Sequence, residues 1–385
     1  MIAKIARKEF VEMQRDGRFR WSALIVFLLL VAALALGWKH YATAKAEQTR
    51  AENESRESWE NQGERNPHSA AHFGVYAFKP KMPLSLIDSG LDNFTGTNVW
   101  VEAHYQNPLR GRPIEDATAL QRFGELTAAG ILQLLLPLVI IFLTFDAFAG
   151  ERASGTLRQA LSVGVSPFAL VFGKTLGFLA ALLWLLVPAT FIGVLALSLA
   201  TTNELLLTSL PRFLLLCLAY LLYFGAFIGV ALTVSALAKT PRTSLIILLG
   251  FWIFTCLLAP RLANDLAERI YQTPSANEFW AGVDKDLKEG IDGHNPANKR
   301  TKELEQQLLA QYKVSKVEDL PVNFNGIALN ESEKFADRVF DKNWSAVWQT
   351  YYAQERVQKI GGALAPLLSV RFVSQSLAGT DLAHT

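Results

Sequence analysis

FDAFAGERASGTLRQALSVGVSPFALVFGKTLG, residues 145–177, sets a short charged segment between two apolar runs long enough to cross a bilayer. From Gly150 to Leu161 the charges Glu151, Arg152 and Arg158 fall on a side expected to be exposed, while Leu157, Ala160 and Leu161 are expected to pack back. Ser166-Pro167 then opens the next run, as Pro does at a helix start. A short helix hung in this way between two spans lies at a membrane face, where it can pass a push from an aqueous partner to both.

The rest of the chain fits that reading. Of its 385 residues, 51% are hydrophobic, which exceeds the apolar share of soluble domains, and 19% are charged, so charge must be concentrated between apolar blocks. A helix needs about 20 apolar residues to cross the hydrocarbon core. Five runs approach or exceed this, at 21–38, 126–148, 168–197, 213–237 and 244–259. The first is uncharged and bracketed by Trp21 and Trp38, which suits indoles at two headgroup regions. A signal peptide is the competing reading of that run, but its leader is long and carries Glu9, Glu12 and Asp16 among its bases.

Lys and Arg in short flanks orient the chain. They precede the first span, flank Glu151 (Arg152, Arg158) and fill the tight 238–243 hairpin (Lys239, Arg242), whereas 198–210 has none. The N-terminus, the Glu151 segment and the hairpin are therefore expected inside, with 39–125 and 260–385 outside. Residues 1–20 form an amphipathic helix, with Ile2, Ile5, Ala6, Phe10 and Met13 on one face, expected to lie along the inner leaflet. Cys217 and Cys256 both fall in spans, so no external disulfide is available.

The first external segment begins with a polar helical stretch, 39–64, continuing span 1; residues 73–113 then read as a loop-rich module with short strands and an aromatic core. The second reads as mostly helical, at 264–271, 277–289, 297–312 and 332–359, with 321–330 a loop. Phe335, Val339, Phe340, Trp344, Val347 and Tyr351 mark the buried stripe of the last helix. His68 and His72 stand at i and i+4, a spacing that suits a metal. Pro67 and Gly74 flank them and no Cys or carboxylate accompanies them, so they are read as a solvated loop, and no metal site is expected.

Phe172-Gly173-Lys174-Thr175 imitates part of a phosphate-binding loop, but that motif needs Gly at position 168, which is Phe. The chain also lacks G-x-S-x-G and H-E-x-x-H. Gln133, Asp146 and Lys174 are read as anchors at the inner boundary, and the scarcity of ionisable residues at depth argues against an ion-coupled transporter. Catalysis and an energy source are therefore expected in another chain.

At Glu151, Arg152, Gly155, Thr156 and Leu157, followed by Pro167, Gly173 and Lys174, the sequence resembles the permeases of type-2 ABC exporters, where E-R-x-x-G-T-L and a later G-K join spans two and three. Lys8-Glu9-Phe10, with Arg15-Asp16 after it, is similar to that family's first helix. The resemblance covers roughly 1–38 and 126–259. It implies a mainly α, polytopic membrane protein with a mixed extracytoplasmic domain built from two insertions. The external parts look like a subgroup whose outer domains have no assigned function.

The resemblance also implies a non-catalytic subunit of a bacterial cytoplasmic-membrane transporter. Its partners would be a second permease subunit and a cytoplasmic ATPase dimer carrying ATP and Mg, with an envelope protein as a further possibility and no role for nucleic acid. No cofactor is implied in this chain. Residues 149–167 become the coupling helix, with Glu151, Arg152 and Arg158 touching the ATPase, Thr156 and Leu157 seating the helix, and Gly155 within the motif. Lys8, Glu9, Phe10 and Arg15 mark the interfacial helix.

The family has six spans. Residues 360–370, with Gly361, Gly362 and Pro366, are too short and interrupted to cross, so a final helix is expected beyond Thr385. The expected function is export of an envelope-associated or amphipathic substrate. The alternatives are an ATPase-driven mechanotransmitter that moves no substrate, and a membrane scaffold outside the ABC class.

Overall fold

The computed structural model describes residues 1–115 and 126–384; the end of the first external segment, 116–125, and Thr385 lie outside the described residues. Helix α1 (Ile2–Arg15) stops at Asp16, whose extended backbone turns the chain and whose carboxylate accepts the Arg18 N–H, capping α2 (Gly17–Glu60). Forty-four residues make α2 about 66 Å long. It therefore outruns a bilayer core of about 30 Å and carries its polar half beyond it, as the sequence predicts.

Among the described residues, four more helices are long and apolar enough to span: α4 (Ala128–Ser154), α6 (Pro167–Ala200), α7 (Asn203–Leu237) and α8 (Pro241–Ile270). Residues 198–210, read as a loop, are mostly helical, with α6 ending and α7 beginning around Thr201 and Thr202. The helix carries Pro211 inside it, so span 4 starts ahead of the expected position 213.

In α4 and α8 a π-turn precedes a proline: Ile131–Leu135 before Pro137, and Ile253–Leu258 before Pro260. Proline has no N–H to offer the carbonyl four residues back, and its ring crowds that carbonyl. The carbonyl freed by Pro137 is that of Gln133, and Tyr223 of α7 donates its hydroxyl to it at 2.9 Å. Trp252 of α8 donates to the neighbouring Leu134 carbonyl at 3.1 Å. The irregular stretches thus bind α4 to α7 and α8.

At the distal end of the bundle, away from Glu151, two insertions meet. The first contains α3 (Pro67–Phe73) and an antiparallel sheet of β1 (Val75–Phe78), β2 (Asn98–Glu102) and β3 (Tyr105–Gln106), with Tyr76 opposite Trp100. Gly74 starts β1 at φ +68, where a Cβ would strike the Trp100 ring at 2.4 Å. The second contains α9 (Ala276–Lys288), α10 (Lys299–Tyr312), α11 (Phe324–Gly361) and α12 (Pro366–Ala378). In the predicted stripe of α11, Val339, Phe340 and Val347 are buried and Phe335, Trp344 and Tyr351 half-buried, with Val339 and Phe340 against Val283 of α9. Tyr105 stacks on Trp280 at 5.8 Å and meets Phe340 edge-on at 5.6 Å, so the two insertions share a core. Residues 321–330 are helical from Phe324 onward, not a loop throughout.

The 13 residues of α12 extend only about 20 Å. The helix lies on α7, with Leu367, Leu368 and Val370 buried. A hydrogen-bonded ladder ties it to the spans: Gln133 donates to the Tyr220 hydroxyl at 3.0 Å, Tyr220 meets Ser374 at 3.0 Å, and Ser374 donates to Asp88. Gln133, read as an inner-boundary anchor, therefore sits at the opposite end from Asp146 and Lys174. Thr380 closes the ladder by donating to the Asp88 carbonyl at 3.1 Å.

Burial raises the Asp88 pKa, only partly offset by its bonds to Ser374 and Gly90. A carboxyl with a raised native pKa contributes stability fully present below its unfolded pKa and lost as pH rises through the native one. Asp88→Asn is therefore expected to unfold at a higher temperature than the parent at pH 7, with the advantage vanishing toward pH 4. Equal melting temperatures in detergent at both pH values would contradict this.

Candidate coupling site

The turn from α4 into α6 is built on backbone amides capped from α7 and on two left-handed glycines, Gly155 and Gly164. Helix α4 breaks over residues 145–148, and the buried Ser235 hydroxyl of α7 accepts the Phe148 and Ala149 N–H groups at 3.0 and 3.1 Å. This supplies the cap that the Ala149–Ser154 turn lacks from its own sequence. Gly155, at φ +84, separates that turn from α5 (Thr156–Ser162); its left-handed backbone would strain any residue with a Cβ. Ser166 then caps α6 by accepting the Ala169 N–H, with Pro167 in the first helical turn.

Beneath these short helices lies a buried ion cluster. Lys174 of α6 is 1% exposed, and its ammonium donates to Glu9 of α1 and to Glu151, both at 2.8 Å. It also sits 5.4 Å from the Phe148 ring centre. Lys8 approaches Glu9, Glu12 and Glu151 at 3.2, 3.1 and 3.4 Å. Partial burial opposes the Lys8 charge, yet Glu9, Glu12 and Glu151 together hold its pKa above the usual lysine value. Arg152 donates to the Ala238 and Ala236 carbonyls at 2.6 and 2.5 Å, engaging the free carbonyls at the end of α7.

Close packing makes the cluster possible. Helix α1 lies along α6, where Gly173 and Gly177 form a groove: a Cβ on Gly173 would stand 2.6 Å from Ile5, and one on Gly177 2.5 Å from Glu9. The stretch that imitates a phosphate loop is thus the interior of a helix whose glycines admit another helix and whose lysine is held by two carboxylates.

The structure redistributes the residues read from sequence. Glu151 and Arg152, expected to reach outward, have partners inside the chain. Leu157 packs against the core as expected, and Thr156 bonds back to the Glu151 carbonyl at 3.3 Å. Arg158 is exposed, and Leu161, expected to pack back, is 44% exposed beside Val163 at 77%. Glu9 lies on the buried face of α1 with Met13, while Lys8 and Arg15 face out and Phe10 packs against the core. The amphipathic α1 thus spends much of its apolar face on α6. The missed signal was charge complementarity between a Glu in α1 and a Lys in the otherwise apolar α6.

A second constellation lies at the distal end. His68 and His72 of α3, His104 of the β2–β3 turn and His294 of the α9–α10 loop each offer a ring nitrogen, and these atoms lie within 4.8 Å of one another. The reading of His68 and His72 as an isolated pair on a loop is corrected on two points. Asn66 caps these residues into a helix, accepting the Ser69 N–H at 2.8 Å, and the fold brings two further histidines to them. Burial and the three neighbouring imidazoles lower the His104 pKa, favouring its neutral form.

A family model described as ABC-2 family transporter protein matches residues 3–309, taking in all five candidate spans and the ion cluster. The chain belongs to that family. It is a multi-pass membrane protein and a transmembrane subunit of an ABC-2 transporter, a class that works with an ATPase. A second model, a domain of unknown function (DUF3526), matches residues 276–385, which hold α9 to α12. No curated protein matches the chain.

Proposed function

We propose that this ABC-2 subunit exports an envelope-associated or amphipathic substrate across the bacterial cytoplasmic membrane, driven by a separate ATPase dimer that docks on residues 149–167. The Lys174 cluster carries the reading. One ammonium joins the Glu151 turn to α1 and α6, and Arg152 joins it to α7, so displacement of one short element reaches several spans through short, partly buried contacts. The Lys and Arg flanks support a cytoplasmic position for this end and an external one for the two insertions. A second permease subunit would complete the pathway.

Substrate class is supported by a cavity of about 380 Å³ among α2, α4, α6 and α7, lined by groups such as Leu34, Leu132, Val187, Phe213 and Phe224. Its walls are apolar, which suits an acyl or other lipid-like chain. A mechanotransmitter reading has its own support in the Gln133–Tyr220–Ser374–Asp88 ladder, which fastens the distal insertions to the spans.

Arg158, with Leu161 and Val163 beside it, forms the outward surface for an ATPase. Purification from native membranes in mild detergent is expected to bring an ATP-binding protein with the chain. Arg158→Glu is expected to cut that recovery about tenfold, a change of about 1.4 kcal/mol in docking, without altering thermal stability. Recovery of the chain with no ATP-binding protein overturns the reading.

A further inference from the structure

The four distal histidines come from both insertions. His68, His72 and His104 belong to the first, whereas His294 belongs to the second, which also supplies Glu333 of α11 as the partner of His104. We propose that His68, His72, His104 and His294 form a binding site for a late first-row divalent cation, Zn²⁺ or Cu²⁺, that clamps the two insertions together.

The donor set suits such an ion. Four imidazoles provide borderline nitrogen ligands, which favour zinc and copper over magnesium or calcium. Nitrogens about 2.0 Å from a tetrahedral ion stand about 3.3 Å apart. His68 and His72 already present their Nε2 atoms 3.2 Å from each other, one helical turn apart on α3. The remaining separations reach up to 4.8 Å, so a bound ion would draw the rings together.

His104 is the most committed of the four. Its Nδ1 is paired with the Glu333 carboxylate, and its Nε2 is buried with no hydrogen-bond partner. A carboxylate on one ring nitrogen fixes the tautomer, orients the ring and raises the basicity of the other nitrogen, which is how metal-bound histidines are commonly supported. A buried nitrogen without a partner is costly unless a ligand satisfies it. His104 also holds φ +68, a backbone region that a side-chain-bearing residue occupies only under constraint.

His294 is held by its own loop. Asp292 accepts the His294 N–H at 3.0 Å, Thr301 donates to the Asp292 carbonyl at 2.8 Å, and Ser332 donates to the Ile291 carbonyl at 3.1 Å. Gly293 lets the loop press on α11, since a Cβ there would stand 2.7 Å from the Ala328 carbonyl oxygen. One of the four ligands is thus anchored to the element that carries Glu333.

The test uses the untagged full-length chain in detergent, stripped with chelator and dialysed against Zn²⁺ or Cu²⁺, with metal content read by mass spectrometry. About one ion per chain is expected at micromolar free metal. His294→Ala is expected to weaken binding about a hundredfold and Glu333→Gln about tenfold to a hundredfold, the range found for outer-shell partners. His40→Ala, outside the cluster, should leave binding unchanged. Because histidine variants can disturb folding, amide hydrogen exchange of the parent chain provides an independent reading. Metal should slow exchange in α3 and in residues 290–298 together, as a bridge between them requires. Failure to retain metal, retention unchanged in His294→Ala, or protection confined to α3 overturns the proposal.

Discussion

Lys174→Met is expected to lower stability by about 3 kcal/mol, since breaking a buried pair costs about 3–5 kcal/mol and Lys8 remains near both carboxylates. The side chains of Lys174 and Glu9 are 2% and 8% exposed, so the abandoned Glu9 charge has little water to replace its partner. About 3 kcal/mol corresponds to roughly a hundredfold in the equilibrium between seated and released Glu151 turns. Thermal unfolding in detergent and substrate-stimulated ATP hydrolysis in the reconstituted complex are both expected to fall. Adding Glu9→Gln should restore much of the stability, because it removes the stranded charge, while the tie to Glu151 stays broken and stimulation stays low. A melting temperature unchanged by Lys174→Met would refute the buried cluster.

Gly177→Val is expected to lift α1 from α6. Its Cβ would stand 2.5 Å from the Glu9 Cβ and 2.9 Å from the Ala6 carbonyl oxygen, neither of which is the free end of a flexible side chain. Overpacking costs about 1–3 kcal/mol, and losing the Glu9 contact to Lys174 adds to it. Trypsin should then cut faster at Lys4, Arg7 and Lys8. Gly225→Ala and Gly229→Ala provide the contrast, because a Cβ at either position meets nothing within 4 Å. An unchanged tryptic pattern in Gly177→Val would mean that α1 does not depend on the groove.

The spans were legible because a bilayer demands long uninterrupted apolar helices, a requirement that local composition records. Their ends were less so. Span 4 was read from 213 and span 5 to 259, yet the helices continue through Pro211 and Pro260, with a π-turn ahead of Pro260. The spacing of His68 and His72 was visible as a helical repeat, but Pro67 and Gly74 looked like loop residues until Asn66 and Pro67 proved to start a helix and Gly74 to end it. Gly173 and Gly177 at i and i+4 were also visible, obscured by their likeness to part of a phosphate loop.

The sequence by itself determined that this is a polytopic helical membrane protein of the ABC-2 family, with a charged turn between its second and third spans. Those properties follow from hydropathy, helical period and a contiguous motif, all local to the chain. Only the tertiary structure decided that Glu151 faces inward to Lys174, that α1 seats on two glycines, and that four histidines converge where two insertions meet. The direction of a charge depends on which distant residue lies beneath it, and no local pattern encodes that contact.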